Sequence, residues 1–289
     1  MSQTVLVTGT SNGFGADIAT TLAAAGHRVF ATMREMNGRH HEAASALQAK
    51  RIETLELDVT DNASVDAAFE ALFEKTGGTL DVLVNNAGIA AGGISETFTP
   101  EQLRDMFEVN VFGIQRVLRA ALPAMQKKKS GLIINIGSIL GRVTIPFFGL
   151  YGATKHAVEA LTDTYRYELS QLGIDVVLIQ PGPYPTKLYT SIQKPTDTRR
   201  AANYGDLAKL PGGIEQFLHG VFTGADAPDP HDVAQEIATL INTRPGERPA
   251  RVVKGLAFGA DSANAAIAPF QAQLISGLGF DQLAKLAAA

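Results

Sequence analysis

Three residues near the middle of the chain could together transfer a proton. Tyr151 and Lys155 lie four residues apart, and Ser138 lies thirteen residues before the tyrosine. A phenol ordinarily titrates near pH ~10, and a lysine one helical turn away can lower that pKa through its charge. A serine hydroxyl could then orient the oxygen of a substrate. Tyr/Lys pairs four residues apart also occur on ordinary helix surfaces, so the meaning of this pair depends on the elements that position it.

Short apolar runs alternate with amphipathic helical patterns along the chain. We predict strands over 5–7, 28–33, 52–57, 80–84, 132–136 and 174–179, and helices over 15–25, 64–74, 100–125 and 152–172. Apolar strands that alternate with helices predict a parallel sheet covered on both faces, the doubly wound (Rossmann-type) α/β/α fold. No linker interrupts the pattern, so we expect one domain over 1–289. Residues 183–230 are rich in Pro, Gly, Tyr and charge, which predicts a substrate lid within that domain.

Composition excludes several classes of protein. The net charge of -4 provides no basic field for nucleic acid. The chain has no cysteine, and its histidines share no metal-ligand spacing, so we predict no metal site. The N-terminus lacks the pattern of a signal peptide. Residues 262–280 are uncharged but too polar for a membrane span, and we interpret them as a packed pair of helices. We therefore expect a cytoplasmic protein with no membrane partner.

A glycine-rich turn follows the first predicted strand. In Thr8-Gly-Thr-Ser-Asn-Gly-Phe-Gly15, Gly9 permits a tight turn, Gly13 permits close approach to a pyrophosphate, and Gly15 permits the helix to pack on the strand. Free N–H groups at the start of the helix would then meet the phosphate charge. Because glycine-rich turns often serve geometry alone, the strand–turn–helix setting is what favours dinucleotide binding.

The residue that would hold the adenosine ribose indicates which dinucleotide is bound. An acid is typical about 20 residues after the glycine turn in NAD sites, but here Met33 and then Arg34 occupy that place. An arginine can pair with the 2′-phosphate of NADP, so we predict NADP, with NAD still possible. Glu35 beside it argues in the opposite direction, and Arg34 could also be an ordinary surface residue.

Taken together, these motifs resemble those of the short-chain dehydrogenase/reductase family over most of the chain. The turn from Thr8 to Gly15 resembles its compact single-domain branch, and the narrower likeness is to NADP-preferring hydroxysteroid and carbonyl reductases. Further residues match family motifs in chain order: Asp58-Val59, Asn86-Ala87-Gly88, Asn110, Ser138, Tyr151, Lys155, Pro181-Gly182 and Thr186.

The resemblance implies a role for each matching residue. Tyr151 would be the general acid, Lys155 would lower its pKa and hold the nicotinamide ribose, and Ser138 would bind the carbonyl oxygen. Asn110 would hold a water that links Lys155 to solvent. The implied cofactor-binding residues are Gly9, Ser11, Asn12, Gly13, Phe14, Gly15, Arg34, Asp58, Val59, Asn86, Ala87, Gly88, Tyr151, Lys155, Pro181, Gly182 and Thr186. Asp58 could instead be a helix N-cap.

Apolar and aromatic residues near the catalytic positions predict an apolar ketone or secondary alcohol as substrate. The main candidates are Leu140, Phe148, Tyr184 and Tyr189, and we also consider Arg142, Phe147, Leu188 and Phe217. Each could equally belong to the core or to a subunit contact. The resemblance also implies a homodimer or homotetramer. Two alternatives stay open, a non-catalytic NADP-binding regulatory protein and an epimerase or dehydratase of sugar nucleotides.

Overall fold

Seven parallel strands form one sheet in the computed structural model, which describes residues 2–287. The strand order is β3-β2-β1-β4-β5-β6-β7. The strands are β1 (Thr4–Thr8), β2 (Arg28–Met33), β3 (Glu53–Glu56), β4 (Val82–Asn85), β5 (Gly131–Ile136), β6 (Ile174–Pro181) and β7 (Arg251–Lys254). This sheet confirms the predicted fold class.

Helices connect the strands. They are α1 (Gly13–Ala24), α2 (His41–Ala49), α3 (Asn62–Thr76), α4 (Pro100–Phe107), α5 (Gly113–Lys128), α6 (Gly149–Ser170), α7 (Lys187–Thr190), α8 (Thr198–Ala201), α9 (Leu210–Thr223), α10 (His231–Asn242) and α11 (Ala260–Gly277). Short 3₁₀ segments cover Ser95–Thr97, Ile139–Gly141, Ala202–Lys209 and Asp281–Ala284.

The two faces of the sheet carry separate apolar cores. Successive strand residues point to opposite faces, so Val5 and Val7 of β1 pack with α1, α2 and α10, whereas Leu6 packs with α3, α5 and α6. Both faces are therefore covered, which explains why the strands read as continuous apolar runs.

The strand β7 and the helices α2 and α10 escaped prediction, as did α7, α8 and α9 within residues 183–230. The strand β7 is short and only partly buried, with a charged residue at each end.

The helix predicted over 100–125 is not continuous. A π-helical segment, Glu108–Phe112, separates α4 from α5, and it places the buried Asn110 toward the carboxyl ends of the strands.

The prediction of a packed pair of C-terminal helices is wrong. Residues 260–277 form the single helix α11, and the 3₁₀ segment Asp281–Ala284 follows it. Most of α11 is exposed, including Phe270, whose side chain is 72% accessible. Within residues 2–287, no helix combines the length and the apolar character needed to cross a bilayer.

Candidate active site

The carboxyl ends of β1, β4, β5 and β6 surround one cleft of about 500 Å³. The chain reverses its winding between β1 and β4, which are neighbours in the sheet, and ligands of open α/β sheets bind at such a switch point. The cleft is lined by most of the predicted site residues, namely Gly9, Ser11, Asn12, Gly13, Phe14, Arg34, Asp58, Val59, Asn86, Ala87, Gly88, Ser138, Tyr151, Lys155, Pro181, Gly182, Tyr184, Thr186 and Tyr189.

The glycine turn has little room for side chains. Gly9 has a φ of +71°, and a Cβ added there would lie 2.7 Å from the Cα of Ala87. A Cβ on Gly15 would lie 2.2 Å from the carbonyl oxygen of Gly9. Gly13 also has a positive φ, of +55°, which L-residues with a side chain rarely adopt. The backbone at the start of α1 therefore faces the cleft directly, as an anion site requires.

Two polar side chains join the glycine turn to the end of β4. The hydroxyl oxygen of Thr8 accepts hydrogen bonds from the backbone N–H groups of Asn86 and Ala87, both at 3.0 Å. The amide nitrogen of Asn86 donates to the carbonyl oxygens of Thr8 at 2.9 Å and Gly9 at 3.0 Å. These bonds fix Asn86-Ala87-Gly88 against the turn, so the two motifs act as one unit.

At the β2 end of the cleft, charged side chains surround the expected ribose position. Arg34 is half-exposed, and its Nη1 lies 3.7 Å from Oδ2 of Asp58. Arg39 Nη2 lies 2.9 Å from Oε1 of Glu35, and Arg34 Nε lies 3.9 Å from the same oxygen. The carboxylate of Glu35 is thus paired with two guanidinium groups, which reduces its repulsion toward a phosphate.

Asp58 closes a turn and does not cap a helix, so the alternative role considered for it is wrong. Its Oδ1 accepts hydrogen bonds from the backbone N–H and the hydroxyl of Thr60, at 2.9 and 2.7 Å, while the N-cap of α3 is Asp61. Burial raises the pKa of Asp58, but these hydrogen bonds and the nearby Arg34 outweigh it and lower the pKa overall.

Ser138, Tyr151 and Lys155 converge at the carboxyl end of β5. Tyr151 and Lys155 are buried in the first half of α6, and Ser138 lines the same cleft, near enough to the phenol of Tyr151 to lower its pKa. The ammonium nitrogen of Lys155 lies 5.6 Å from the centre of the Tyr151 ring and donates to the carbonyl oxygen of Ile136 at 2.8 Å. The predicted trio is therefore brought together.

The sequence predicts that Lys155 lowers the pKa of Tyr151, but in this arrangement burial outweighs any such effect and the pKa is raised. Burial raises the pKa of Tyr151 to about 12, and hydrogen bonding to Ser138 opposes that change only in part. Burial also lowers the pKa of Lys155 to about 8. Both changes disfavour the charged form of the group. At neutral pH the phenol therefore holds its proton.

The side chain of Asn110 is hydrogen-bonded to the turn after β4 and to α6. Its Oδ1 accepts from the N–H of Ile89 at 2.9 Å, and its Nδ2 donates to the Ile89 carbonyl at 2.9 Å and to the Thr154 hydroxyl at 3.0 Å. A Cβ added to Gly88 would lie 3.3 Å from Oδ1 of Asn110 and 4.0 Å from the Lys155 ammonium. Asn110 and Lys155 therefore flank the same glycine.

An apolar cluster adjoins the phenol of Tyr151. Phe148 is a buried member of it, Leu140 and Leu188 pack against it, and Tyr189 lies beside Tyr151 in the cleft. The pKa of Tyr189 is raised, mainly because its side chain is buried and to a smaller extent because Tyr151 is nearby. Apolar side chains thus surround the position where a substrate oxygen would meet the phenol.

Four other candidates lie outside the apolar cluster that adjoins Tyr151. Tyr184 is fully buried and packs edge-on against Phe14, with ring centres 5.4 Å apart, so its ring belongs to the core on the dinucleotide side of the cleft. Arg142 turns away from the cleft toward Glu159, at 2.7 Å. Phe217 is 55% exposed and its ring neighbour is Phe258. Phe147 has a positive φ of 69°, and its carbonyl accepts from Gly93.

Sequence reasoning missed several residues of the cleft. Arg39 and His40 line it beside Arg34, and Lys187 lines it at the start of α7. The basic run Arg39-His40-His41 was the available signal for the first two. In the part of the chain that the structure describes, acidic and histidine side chains form no cluster of three or more suited to a metal ion.

Comparison with known proteins identifies the class of this protein. Residues 3–197 match the family model described as short chain dehydrogenase. The chain belongs to that family, and it is an oxidoreductase that acts on CH–OH or C=O groups with a nicotinamide cofactor.

Curated relatives come from bacteria and animals. The chain is 38% identical over 184 residues to 3-ketodihydrosphingosine reductase of Bacteroides thetaiotaomicron, covering 64% of this chain and 65% of that protein. It is 36% identical to the NADPH-dependent 3-dehydrocapnine reductase of Ornithobacterium rhinotracheale, over 73% of this chain and 76% of the relative. It is 32% identical to retinol dehydrogenase 8 of Bos taurus, over 83% and 78%.

Solved structures share the fold. A short-chain dehydrogenase from Streptomyces avermitilis superposes with a TM-score of 0.78 at 31% identity, covering 96% of this chain and 97% of that one. An actinorhodin polyketide ketoreductase with NADPH gives 0.74 at 28% identity, over 90% and 97%. A family member from Burkholderia phymatum in complex with NAD gives 0.73 at 25% identity, over 94% and 95%.

Proposed function

We propose that the protein is an NADP(H)-dependent reductase of apolar ketones. The observation that carries this proposal is the convergence of Ser138, the protonated Tyr151 and Lys155 at the edge of the apolar cluster. The nicotinamide would supply the hydride. Tyr151 would donate the proton to the substrate oxygen, and Ser138 would hydrogen-bond that oxygen as negative charge develops on it.

Lys155 and Asn110 would serve the phenol after it has given up its proton. The Lys155 cation would stabilise the phenolate and bind the nicotinamide ribose. Asn110 and Lys155 flank Gly88, and a water held between them would return the proton from solvent. Pro181, Gly182 and Thr186 would contact the nicotinamide, since they line the same end of the cleft.

A tyrosine-to-phenylalanine pair tests the chemistry. Tyr151→Phe should lower the rate of NADPH oxidation with an aromatic ketone at least about a hundredfold, because general acid catalysis contributes that much. The matched control is Tyr165→Phe on the same helix, whose hydroxyl bonds Gln115 outside the cleft; it should keep the rate. Equal rates for Tyr151→Phe and the unmodified protein would refute the mechanism. An absence of binding to either nicotinamide cofactor would refute the proposal altogether.

NADP preference rests on Arg34, supported by Arg39 through its pairing with Glu35. Arg34→Asp should lower the ratio of kcat/KM for NADPH over NADH at least about tenfold, because a hydrogen bond between charged groups contributes about 1.5–3 kcal/mol. The control is Arg28→Asp at the other end of β2. It removes an equally charged group that pairs with Glu53 away from the cleft, so it should leave the ratio unchanged. A ratio unchanged by Arg34→Asp would show that NAD serves as well.

We also propose that residues 183–230 act as a lid over the substrate. The backbone N–H of Gln193 donates to the carbonyl of Ala90 at 2.9 Å. Arg200 and Tyr204 contact the carboxylate of Glu96 at 2.7 and 2.6 Å. All of these contacts tie the lid to the loop after β4, and those at Glu96 are exposed, so they open at little cost. We likewise propose that the lid is part of a single domain over residues 1–289, and that the protein forms a homodimer or homotetramer.

The substrate class follows from the apolar lining. Leu188 lines the cleft, and Leu140 and Phe148 belong to the apolar cluster that contains Tyr151, which favours a ketone on an aliphatic chain or ring system. Relatives named for 3-ketodihydrosphingosine, 3-dehydrocapnine and retinol support an apolar substrate. A panel of long-chain, steroid and aromatic ketones, followed at the nicotinamide absorbance, would identify it.

A further inference from the structure

A buried carboxylate, Glu159, lies beneath the proposed catalytic residues and takes no part in the chemistry described above. It is on α6, one turn after Lys155 and two turns after Tyr151, and it is only 4% exposed. Isolated charges are rarely buried, because leaving water is costly without partners. The partners of Glu159 therefore indicate what it does.

Two partners of this carboxylate belong to segments of the cleft, and a third, Nε of Arg251 on β7, lies 3.6 Å from its Oε2. Oε2 accepts from Nη2 of Arg142 at 2.7 Å, and Arg142 ends the short turn that begins at Ser138. Oε1 accepts from the amide of Gln180, the fully buried residue that precedes Pro181 at the end of β6. One side chain thus connects the Ser138 turn, the Tyr151 helix and the strand that leads to the proposed nicotinamide contacts.

The same three segments are in close backbone contact. A Cβ added to Gly141 would lie 2.7 Å from the carbonyl oxygen of Lys155 and 2.8 Å from Cγ of Glu159. The Ser138 turn therefore lies directly on α6, and the Arg142–Glu159 pair fixes how far along the helix it sits. Gln180 is fixed in turn, since its Oε1 accepts from Nδ2 of Asn264 on α11 at 2.7 Å.

We propose that Glu159 is a positioning residue, whose carboxylate sets the distance between Ser138 and Tyr151 and the placement of the Pro181-Gly182 turn at the nicotinamide. Stability alone does not require a buried ion pair, because apolar replacements of such pairs are often neutral or stabilising. Apolar side chains could fill the space, but they would not hold three segments at defined separations. The inference rests on the proposed reductase function for its catalytic readout.

Glu159→Gln is the direct test. An amide keeps the volume but removes the charge, so the ion pair with Arg142 becomes at most a weaker neutral hydrogen bond, and an NH₂ that faces Gln180 forces the Gln180 amide to turn over. We expect kcat to fall about tenfold or more, because small displacements of reacting groups cost that much. We also expect NADPH to bind at least several-fold more weakly by fluorescence titration, while adenosine 2′,5′-bisphosphate, which lacks the nicotinamide half, binds as before.

The matched control is Asp163→Asn, one turn further along α6. Asp163 pairs with Nη2 of Arg251, at 2.6 and 2.7 Å, and Arg251 lies on β7. This variant also removes a charge from the same network without touching the Ser138 turn. It should keep kcat and both dissociation constants within about twofold, whatever its effect on Tm.

The outcomes separate positioning from general destabilisation. The proposal is overturned if Glu159→Gln matches Asp163→Asn in kcat and in NADPH affinity, or if its affinity for adenosine 2′,5′-bisphosphate falls together with that for NADPH.

A second pair of variants tests Arg142. Arg142→Ala should lower kcat, and Arg142→Lys, which keeps the charge, should restore part of that loss. If Glu159→Gln does not fold, Arg142→Ala takes its place, and unchanged kcat and NADPH affinity in that variant overturn the proposal. If the unmodified protein reduces no ketone, the proposed function fails, while the two dissociation constants still test the positioning role.

Discussion

Lys155→Met should change the stability of the protein in a way that depends on pH. The ammonium of Lys155 is buried, and burial lowers its pKa from 10.5 to about 8. At about 1.4 kcal/mol for each tenfold change in proton affinity, holding this cation in the folded protein at pH 7 costs about 3 kcal/mol. Methionine has a similar length and no charge, so it removes that cost and keeps most of the packing.

The sign of the effect follows from proton counting. Between pH 8 and 10.5 the unfolded chain holds a proton on Lys155 that the folded chain has lost, so the stability of the unmodified protein rises with pH. About 2–3 kcal/mol should be recovered between pH 7 and pH 10. In Lys155→Met this rise is absent. The lost hydrogen bond to Ile136 lowers stability by about 1–3 kcal/mol at every pH and does not alter the slope.

Urea unfolding of both proteins at pH 7, 8, 9 and 10 measures this difference. The free energies of unfolding should converge or cross as pH rises, with Lys155→Met favoured most at pH 7. Lys127→Met, which removes an exposed ammonium from the end of α5, is the control and should run parallel to the unmodified protein. Parallel curves for Lys155→Met as well would refute the argument that burial sets this pKa. The variant should also lose ketone reduction, since the phenolate would lack its cation.

Two further predictions concern the glycine turn and the lid. Gly15→Ala should weaken NADPH binding at least about tenfold and lower Tm, because the added methyl would lie 2.2 Å from the Gly9 carbonyl oxygen; Gly212→Ala, which meets no atom within 4 Å, is the control, and equal affinities would refute the steric argument. Glu96→Gln should raise KM for the ketone several-fold with little change in Tm, because it weakens exposed lid contacts; an unchanged KM would show that these contacts do not govern the lid.

Much of the fold could be predicted because the strands are buried on both faces. The predicted strand over 28–33 coincides with β2, and the one over 132–136 differs from β5 by a single residue. The motifs at the carboxyl ends of β1, β4, β5 and β6 lie around one cleft, as strand order requires. By contrast, β7 was missed because an edge strand that is partly exposed on both faces carries no clear periodic signal.

The directions of individual side chains could not be predicted from spacing. Arg142 follows the Ser138 turn by only one residue, yet it faces Glu159 because residues 139–141 form a 3₁₀ turn that rotates it away from the cleft. Tyr184 was expected beside the substrate, but its ring fills the core against Phe14. Such outcomes depend on tertiary packing, which local sequence does not encode.

The pKa of Tyr151 shows why spacing alone misjudged the chemistry. A lysine four residues away lowers the pKa of a tyrosine only if its charge is close to the phenol or if burial does not outweigh the effect of that charge. Here both groups are buried, and the Lys155 ammonium is directed to the carbonyl of Ile136. With a pKa of about 12, removing the phenol proton at pH 7 costs about 7 kcal/mol. Transfer of that proton to a developing alkoxide is still favourable, because the alkoxide is the stronger base, and it leaves a phenolate that the Lys155 cation would stabilise. The raised pKa makes Tyr151 a weaker acid than a free phenol, so positive charge beside the phenol would help it to give a proton in reduction and would raise the phenolate population needed for oxidation.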